Sequence, residues 1–336
     1  MKYFEGFYIR CNGAEYPTVS NAVNPAISNT EYPTVSSAEN SAESGVGGAS
    51  ENCISGADTS VAFIFGKHAG KCERSSFIQI ITRDNSYYMG FDYAAYSRQP
   101  RGFGVEIGAN KVSEKGLSIS INRDGLSVNG RVEFGAFSKV KYNVMGPLNV
   151  LPFMECKHCT VSMRHSLSGS IVINGREYNF DGGVGYIEGD RGKSFPQKYF
   201  WSQCNVFAAA NPPSIFASCA IIPYLGVSFT GTVSVIQFDG REYRLATYLG
   251  ARVRQFTSNK LVVSQGFGGK RKVLEVEALN ASGDKSTRPL LAPDKGVMSR
   301  TVRESVNMHM RYKFTFGGNT LFDLTSPHSA YEFGTS

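Results

Sequence analysis

The sequence predicts an all-β protein made of two antiparallel β-barrel-like domains, and three observations carry that expectation. Glycine and aromatic residues are plentiful while charge is sparse: the 336 residues include 36 Gly, 17 Tyr and 23 Phe, and 19% are charged. Glycine serves tight turns, and aromatic side chains fit a pleated, half-buried surface. Short runs alternate apolar and polar residues with the strand period of two, and the helical period is nearly absent. Asn-Gly and Asp-Gly pairs stand between such runs, as two-residue hairpin turns require. At this length two barrel-like units are expected in preference to one very large sheet.

The elements follow in order. "YFEGFYIRC" and "SVAFIFG" read as strands separated by a segment from Gly13 to Gly56 rich in Ser, Asn, Ala, Glu and Gly, with the direct repeat "EYPTVS" at 15–20 and 31–36. Such a segment buries too little apolar surface to offset its ordering entropy and is expected to be a disordered insertion. "FIQIITRD" and "YYMGFDY" read as a hairpin around Asp84-Asn85. "GLSISINRDGLSVNGRVEF" is expected to turn at Asp124-Gly125 and again at Asn129-Gly130. "SIVINGREYNF" and "TVSVIQFDGREYRLATY" pair strands across Asn174-Gly175 and Asp239-Gly240. "SIFASCAIIPYLGVSF", broken by Pro223 and Gly226, reads as two buried strands around a turn. The best helical candidate is short, "MSRTVRES" at 298–305. The Pro-containing "MGPLNVLPFMECKH" marks the expected boundary between an N-terminal domain, 1–165, and a C-terminal domain, 166–336.

Composition narrows the function classes. The net charge is +7, but Lys and Arg are scattered, with no run longer than Lys270-Arg271-Lys272, so a nucleic-acid partner is not expected. The excess would still aid peripheral contact with anionic membrane lipid. The seven cysteines (11, 53, 72, 156, 159, 204 and 219) are odd in number, and free thiols in a reducing compartment are the simplest account. The first residues show no apolar signal core, and no stretch reaches the roughly 18 apolar residues of a membrane span, so a cytoplasmic protein is expected.

Three motifs bear on chemistry. "CKHC" at 156–159, with His165 beyond it, has zinc-like residue types, but no second pair completes four ligands, and strand geometry sends Cys156 and His158 to one face and Cys159 to the other. No metal is expected there. "GFGGKRK" at 266–272 lacks the spacing and the Ser/Thr of a phosphate loop. The stretch "GYIEGDRGKSFPQKYFWSQCN", 185–205, is different and holds Trp201, the only tryptophan. In an extended strand Glu188 and Asp190 share a face, and adjacent carboxylates raise each other's pKa, which a general acid requires. After the "SFP" break, "KYFWSQCN" reads as a strand with Tyr199, Trp201, Gln203 and Asn205 on one face. That mixture suits the wall of an apolar cavity with a few polar contacts; the alternative is an aromatic core strand below a salt-bridged turn.

The same stretch resembles the signature of the tocopherol cyclase family. "YNVMGPLNVLPFMECKH", "SMRHSLSGSIVINGREYNF", "EYRLATYLGA" and "MSRTVRESV" agree with its bacterial branch, over about 140–305 in all. The strands around 1–12 and 61–140 agree more loosely, and the 13–56 insertion is not part of the pattern. The resemblance implies two lipocalin-like β-barrels packed together. It also implies an isomerase that protonates the alkene of a prenylated hydroquinone and closes a chromanol ring when the phenol oxygen captures the tertiary cation. No cofactor is implied. On this reading Asp190 donates the proton, Glu188 is its partner or alternate, and Arg191 orients them, binds the phenol oxygen or neutralises them. Tyr199 and Trp201 would flank the cation, Gln203 and Asn205 would hold ring hydroxyls, and Arg164, His165 and Glu304 would face them. The alternatives are a lipocalin-like carrier of an apolar ligand without chemistry, and a carbohydrate-binding protein that stacks sugars on Trp201.

Overall fold

A computed structural model describes residues 2–14, 59–152, 154–279 and 286–335. Apart from Gly13 and Ala14, the repeat-containing segment lies outside the described residues, as does Cys53. The strands are β1 (Tyr3–Asn12), β2 (Ser60–Ala69), β3 (Arg74–Ile81), β4 (Ser86–Phe91), β5 (Tyr96–Arg98), β6 (Gly104–Ile107), β7 (Asn110–Ser113), β8 (Gly116–Arg123), β9 (Leu126–Phe134), β10 (Cys156–Ile173), β11 (Arg176–Asn179) and β12 (Val184–Gly192), followed by β13 (Tyr199–Cys204), β14 (Ser214–Tyr224), β15 (Val227–Phe238), β16 (Arg241–Ala246), β17 (Arg252–Phe256), β18 (Lys260–Gln265), β19 (Lys272–Ala278), β20 (Arg288–Asp294), β21 (Val297–Phe316) and β22 (Asn319–Gly334).

Two antiparallel sheets result. The first runs β4-β3-β2-β1-β12-β10-β9-β8-β7-β6-β5, with β11 on β10; the second runs β16-β15-β14-β13-β22-β21-β19-β18-β17, with β20 on β21. Each curls about its own core. Phe7, Ile9, Phe63, Ile78, Val105 and Ile171 meet inside the first. Phe200, Ile215, Leu261, Leu274 and Phe314 meet inside the second. The all-β expectation holds, but the ladders are open rather than closed barrels: no pairing joins β4 to β5, or β16 to β17, among the described residues. A third apolar cluster, with Tyr8, Tyr186, Trp201, Phe216, Leu290 and Val306, fills the space between the sheets. Strands β1, β12 and β13 therefore serve a sheet core with one face and the inter-sheet cluster with the other, and β13 is buried at every position.

The hairpins at Asp84-Asn85, Asp124-Gly125, Asn174-Gly175 and Asp239-Gly240 form as expected. The turn expected at Asn129-Gly130 does not: both residues lie within β9. Gly130 is there because a neighbouring strand passes close by; a Cβ would lie 2.3 Å from the Ser170 carbonyl oxygen. Pro223 stays in β14, and the chain reverses at Leu225-Gly226. The segment 298–305, expected as a short helix, belongs to the twenty-residue strand β21, where the charges of Arg300, Arg303 and Glu304 mask the alternation. Residues 165/166, the expected domain boundary, fall within β10, and the chain passes between sheets at 193–198, after β12. The proline-containing segment before β10 is instead an excursion from the first sheet, with a short 3-10 turn at Gly146–Val150, that returns to that sheet. The six described cysteines are free thiols. Among the described residues no helix is long and apolar enough to cross a membrane.

Candidate active site

Strand β12 is central in its sheet, between β1 and β10. Pairing sets Glu188 opposite Tyr8 and Thr160, and Asp190 opposite Gly6 and His158. Strand alternation points Tyr186, Glu188 and Asp190 toward the second sheet. Across the gap β13 presents Tyr199 and Trp201. Glu188, Asp190, Tyr199 and Trp201 share one cavity of about 200 Å³, which Phe4, Ile64, Phe77, Phe216, Val233 and Leu290 make mainly apolar. Glu304 from β21 and Glu332 from β22 complete its polar groups.

Three tyrosine–glutamate pairs surround this space. The Tyr8 hydroxyl donates to Glu304 Oε1 at 2.6 Å, the Tyr186 hydroxyl to Glu188 Oε2 at 2.6 Å, and the Tyr199 hydroxyl to Glu332 Oε1. Trp201 Nε1 also donates to Glu188, at 3.2 Å, and packs edge-on to Tyr8 with centroids 5.3 Å apart. Burial pushes all three glutamates up: Glu188 and Glu332 to about 7, and Glu304 well above the carboxylate range, helped by Glu332. Each tyrosine is raised as well, chiefly by burial, and stays a hydrogen-bond donor.

His158 stands between two acids. Its Nδ1 lies 3.0 Å from Asp190 Oδ1, and its Nε2 lies 3.4 Å from Glu188 Oε2 but makes no well-formed hydrogen bond among the described residues. The ring stacks on Phe216, with centroids 4.7 Å apart and planes 10° apart. Burial alone would lower its pKa, but the charges of Glu188 and Asp190 raise it to about 9. Cys156 Sγ completes the shell of Asp190 at 3.5 Å. Ligand atoms of His158, Glu188 and Asp190 lie within 4.8 Å of one another, close enough to share one ion. This set draws His158 from the "CKHC" motif but joins it to carboxylates instead of thiols.

The structure divides the candidates named from sequence. Glu188, Asp190, Tyr199, Trp201 and Glu304 line the cavity. Arg191 does not: it is exposed on the opposite face of β12 and cannot orient the acids. Gln203 follows the face of Trp201, but farther along that face meets β1, where its Oε1 accepts from the buried Arg10 guanidinium at 2.7 Å. Asn205 donates to the Gly185 and Met163 carbonyls at 3.0 and 3.3 Å, and Arg164 donates to the Asn205 carbonyl at 2.6 Å. His165 lies among Phe134 and Phe137 in the first sheet, with Nδ1 3.0 Å from the Ser162 hydroxyl. Burial lowers its pKa to about 3, so it stays neutral. Gly185 makes room for that ring, since a Cβ would lie 2.3 Å from its Nε2. Trp201, 8% exposed and tied to Glu188, is no open platform for sugar stacking. Sequence reasoning missed Tyr8, Tyr186, Phe216 and Glu332, and read His158 as a core or cleft residue in preference to a metal ligand, with no catalytic role. The face shared by Cys156 and His158 was readable, but the register that sets His158 beside Asp190 was not.

Known proteins complete this description. The sequence profile described as "Tocopherol cyclase-like" matches residues 108–335, more than half of the chain. A probable chloroplastic tocopherol cyclase of Oryza sativa subsp. japonica is 27% identical over 121 residues, 35% of this chain and 26% of that protein. The chloroplastic tocopherol cyclase of Zea mays is 26% identical over 121 residues, 25% of that protein. The matched stretch thus spans about a quarter of the length of these curated relatives. The crystal structure of CghA with Sch210972 superposes over 100% of this chain and 89% of that one, with a TM-score of 0.54 at 8% identity, a likeness of fold.

Proposed function

This chain belongs to the tocopherol cyclase-like family, and from that premise we propose that its cavity isomerises a prenylated hydroquinone, or a related isoprenoid phenol, by closing an oxygen ring. One observation carries the reading: a carboxylic acid, Glu188, whose pKa burial raises to about 7, stands in an aromatic-lined, mainly apolar cavity. Protonating an alkene demands a real acid at the reacting carbon, no competing water, and aromatic faces beside the cation.

The step balances without a co-reactant. Glu188 gives its proton to the less substituted alkene carbon, and a tertiary cation forms beside the ring faces of Trp201 and Phe216. The substrate's phenol oxygen bonds to the cation, and its proton returns to Glu188. His158, 3.4 Å away and positively charged, favours the carboxylate that exists between the two transfers. Asp190, the donor expected from sequence, holds His158 by Nδ1 and becomes a positioning residue. Glu304, kept neutral by burial, and Glu332 offer hydrogen bonds to the quinol hydroxyls.

The test is incubation of the purified protein with prenylated hydroquinones, followed by liquid chromatography and mass spectrometry. The reading expects a product of unchanged mass that has lost one phenolic hydroxyl, with the same yield after chelator treatment. A ligand retained in native mass spectra but never converted would make the protein a carrier instead.

A further inference from the structure

The hairpin joining β14 and β15 carries a large apolar residue in a turn conformation that side chains rarely adopt. Its turn, Leu225-Gly226, has φ of +49° and +85°. Three other hairpins place Asp or Asn before Gly at the equivalent step, Asp124-Gly125, Asn174-Gly175 and Asp239-Gly240, because short polar residues tolerate the left-handed region, and the β20–β21 turn places a charged lysine there, Lys295-Gly296. Here the residue is leucine, and it is 71% exposed. Beside it Val227 is 68% exposed and Ile221 is 37% exposed. From Tyr199 to Phe238 the chain contains no Asp, Glu, Lys, Arg or His, so the projecting strands carry none of the charges that ordinarily guard an exposed β-structure.

The position of this tip is informative. Ile222 and Pro223, on the same hairpin, line the cavity, so apolar surface continues from the tip into the site. Leu148 lines the cavity from the segment before β10, where Val150 is 79% exposed. Lysines stand beside both features: the Ile221 amide bonds the Lys198 carbonyl, with the Lys198 ammonium 5.0 Å from the Phe256 ring, and Lys157 Nζ donates to the Asn149 carbonyl. Glu155, which also lines the cavity, is an acid next to Cys156 and close to Lys157 in sequence.

We propose that the Ile221–Thr230 hairpin tip is a membrane-docking element that seats the cavity against an anionic lipid surface, from which an apolar ligand enters. The inference rests on the reading of the site as one for an isoprenoid. Uncharged aliphatic side chains enter the acyl boundary while neighbouring lysines meet lipid phosphates, and the net charge of +7 draws the protein to such a surface.

The test compares the full chain with the Leu225→Asn, Val227→Ser double variant in co-sedimentation with vesicles of phosphatidylcholine and phosphatidylglycerol. Asparagine suits the turn better than leucine, so the variant should unfold at the same temperature or higher. The wild type should sediment with vesicles, the variant at least about tenfold less, in line with two aliphatic side chains withdrawn from lipid. Equal sedimentation of both, or none by the wild type, would overturn the proposal. So would a wild-type dimer that the substitutions disperse without any vesicle binding, which would give the tip to a second copy. Conversion of a prenylated hydroquinone supplied in detergent micelles should be unchanged in the variant. Absence of conversion in both proteins would count against the isomerase reading and leave the vesicle result standing.

Discussion

Glu188 and His158 stand 3.4 Å apart on adjacent strands of one sheet, and each shifts the other's pKa. Burial makes the glutamate reluctant to ionise, while the imidazolium limits that reluctance. The carboxylates in turn keep the imidazole protonated in a site where burial alone would neutralise it. On the proposed mechanism Glu188 is the acid, and the imidazolium beside it favours the carboxylate left after proton transfer.

On the proposed mechanism Glu188→Gln removes the proton donor and preserves the shape of the site. Turnover should fall by about 100-fold or more, the usual scale of general acid catalysis. Ligand affinity should stay within about tenfold. Steady-state kinetics beside calorimetric binding would check this; unchanged turnover would remove Glu188 from the reaction.

His158→Gln acts through the pH profile. The imidazolium lowers the Glu188 pKa, so its loss raises that pKa and moves the alkaline fall in rate to higher pH. The plateau should drop as well, because the remaining acid is weaker. A variant with the wild-type profile would mean that His158 is only packing against Phe216.

His165 makes a separate prediction about stability. Its folded pKa of about 3 lies below the value of 6.5 for an exposed imidazole. Between those values the unfolded chain binds the proton that the native protein refuses, so stability falls as pH drops through that window, by up to about 1.4 kcal/mol per pH unit. The buried glutamates carry the opposite slope above about pH 4.5, so the informative quantity is the difference between wild type and His165→Gln. Urea unfolding at several pH values should show a shallower acid loss in the variant.

Gln203 separates the sequence expectation from the structure. As a ligand contact, Gln203→Ala would weaken binding and spare stability. As the acceptor for buried Arg10, whose Nη2 also donates to the Val306 and His328 carbonyls, it should do the reverse. A loss of about 1–3 kcal/mol in denaturant unfolding with unchanged ligand affinity is expected.

These residues show how far a sequence reaches. Period-two alternation correctly put Glu188 beside Asp190 and Tyr199 beside Trp201, because faces of a strand are local properties. It also put Gln203 and Asn205 on the wall, since nothing local says where along a face a cavity ends and another strand begins. The partnership of His158 with Asp190 depends on the register between β10 and β12, and the Tyr8–Glu304 bond joins residues 296 positions apart. The Asn129-Gly130 turn failed for a similar reason: Gly130 answers to the close passage of Ser170, a neighbour invisible in the strand's own sequence.

The central claim is that Glu188 delivers the proton that starts ring closure. The direct measurement is conversion of a prenylated hydroquinone in deuterated water, with the product analysed by mass spectrometry after back-exchange. The account predicts one non-exchangeable deuterium on the carbon next to the new C–O bond, and loss of this product in Glu188→Gln. A product without deuterium, or one formed equally well by Glu188→Gln, would contradict it.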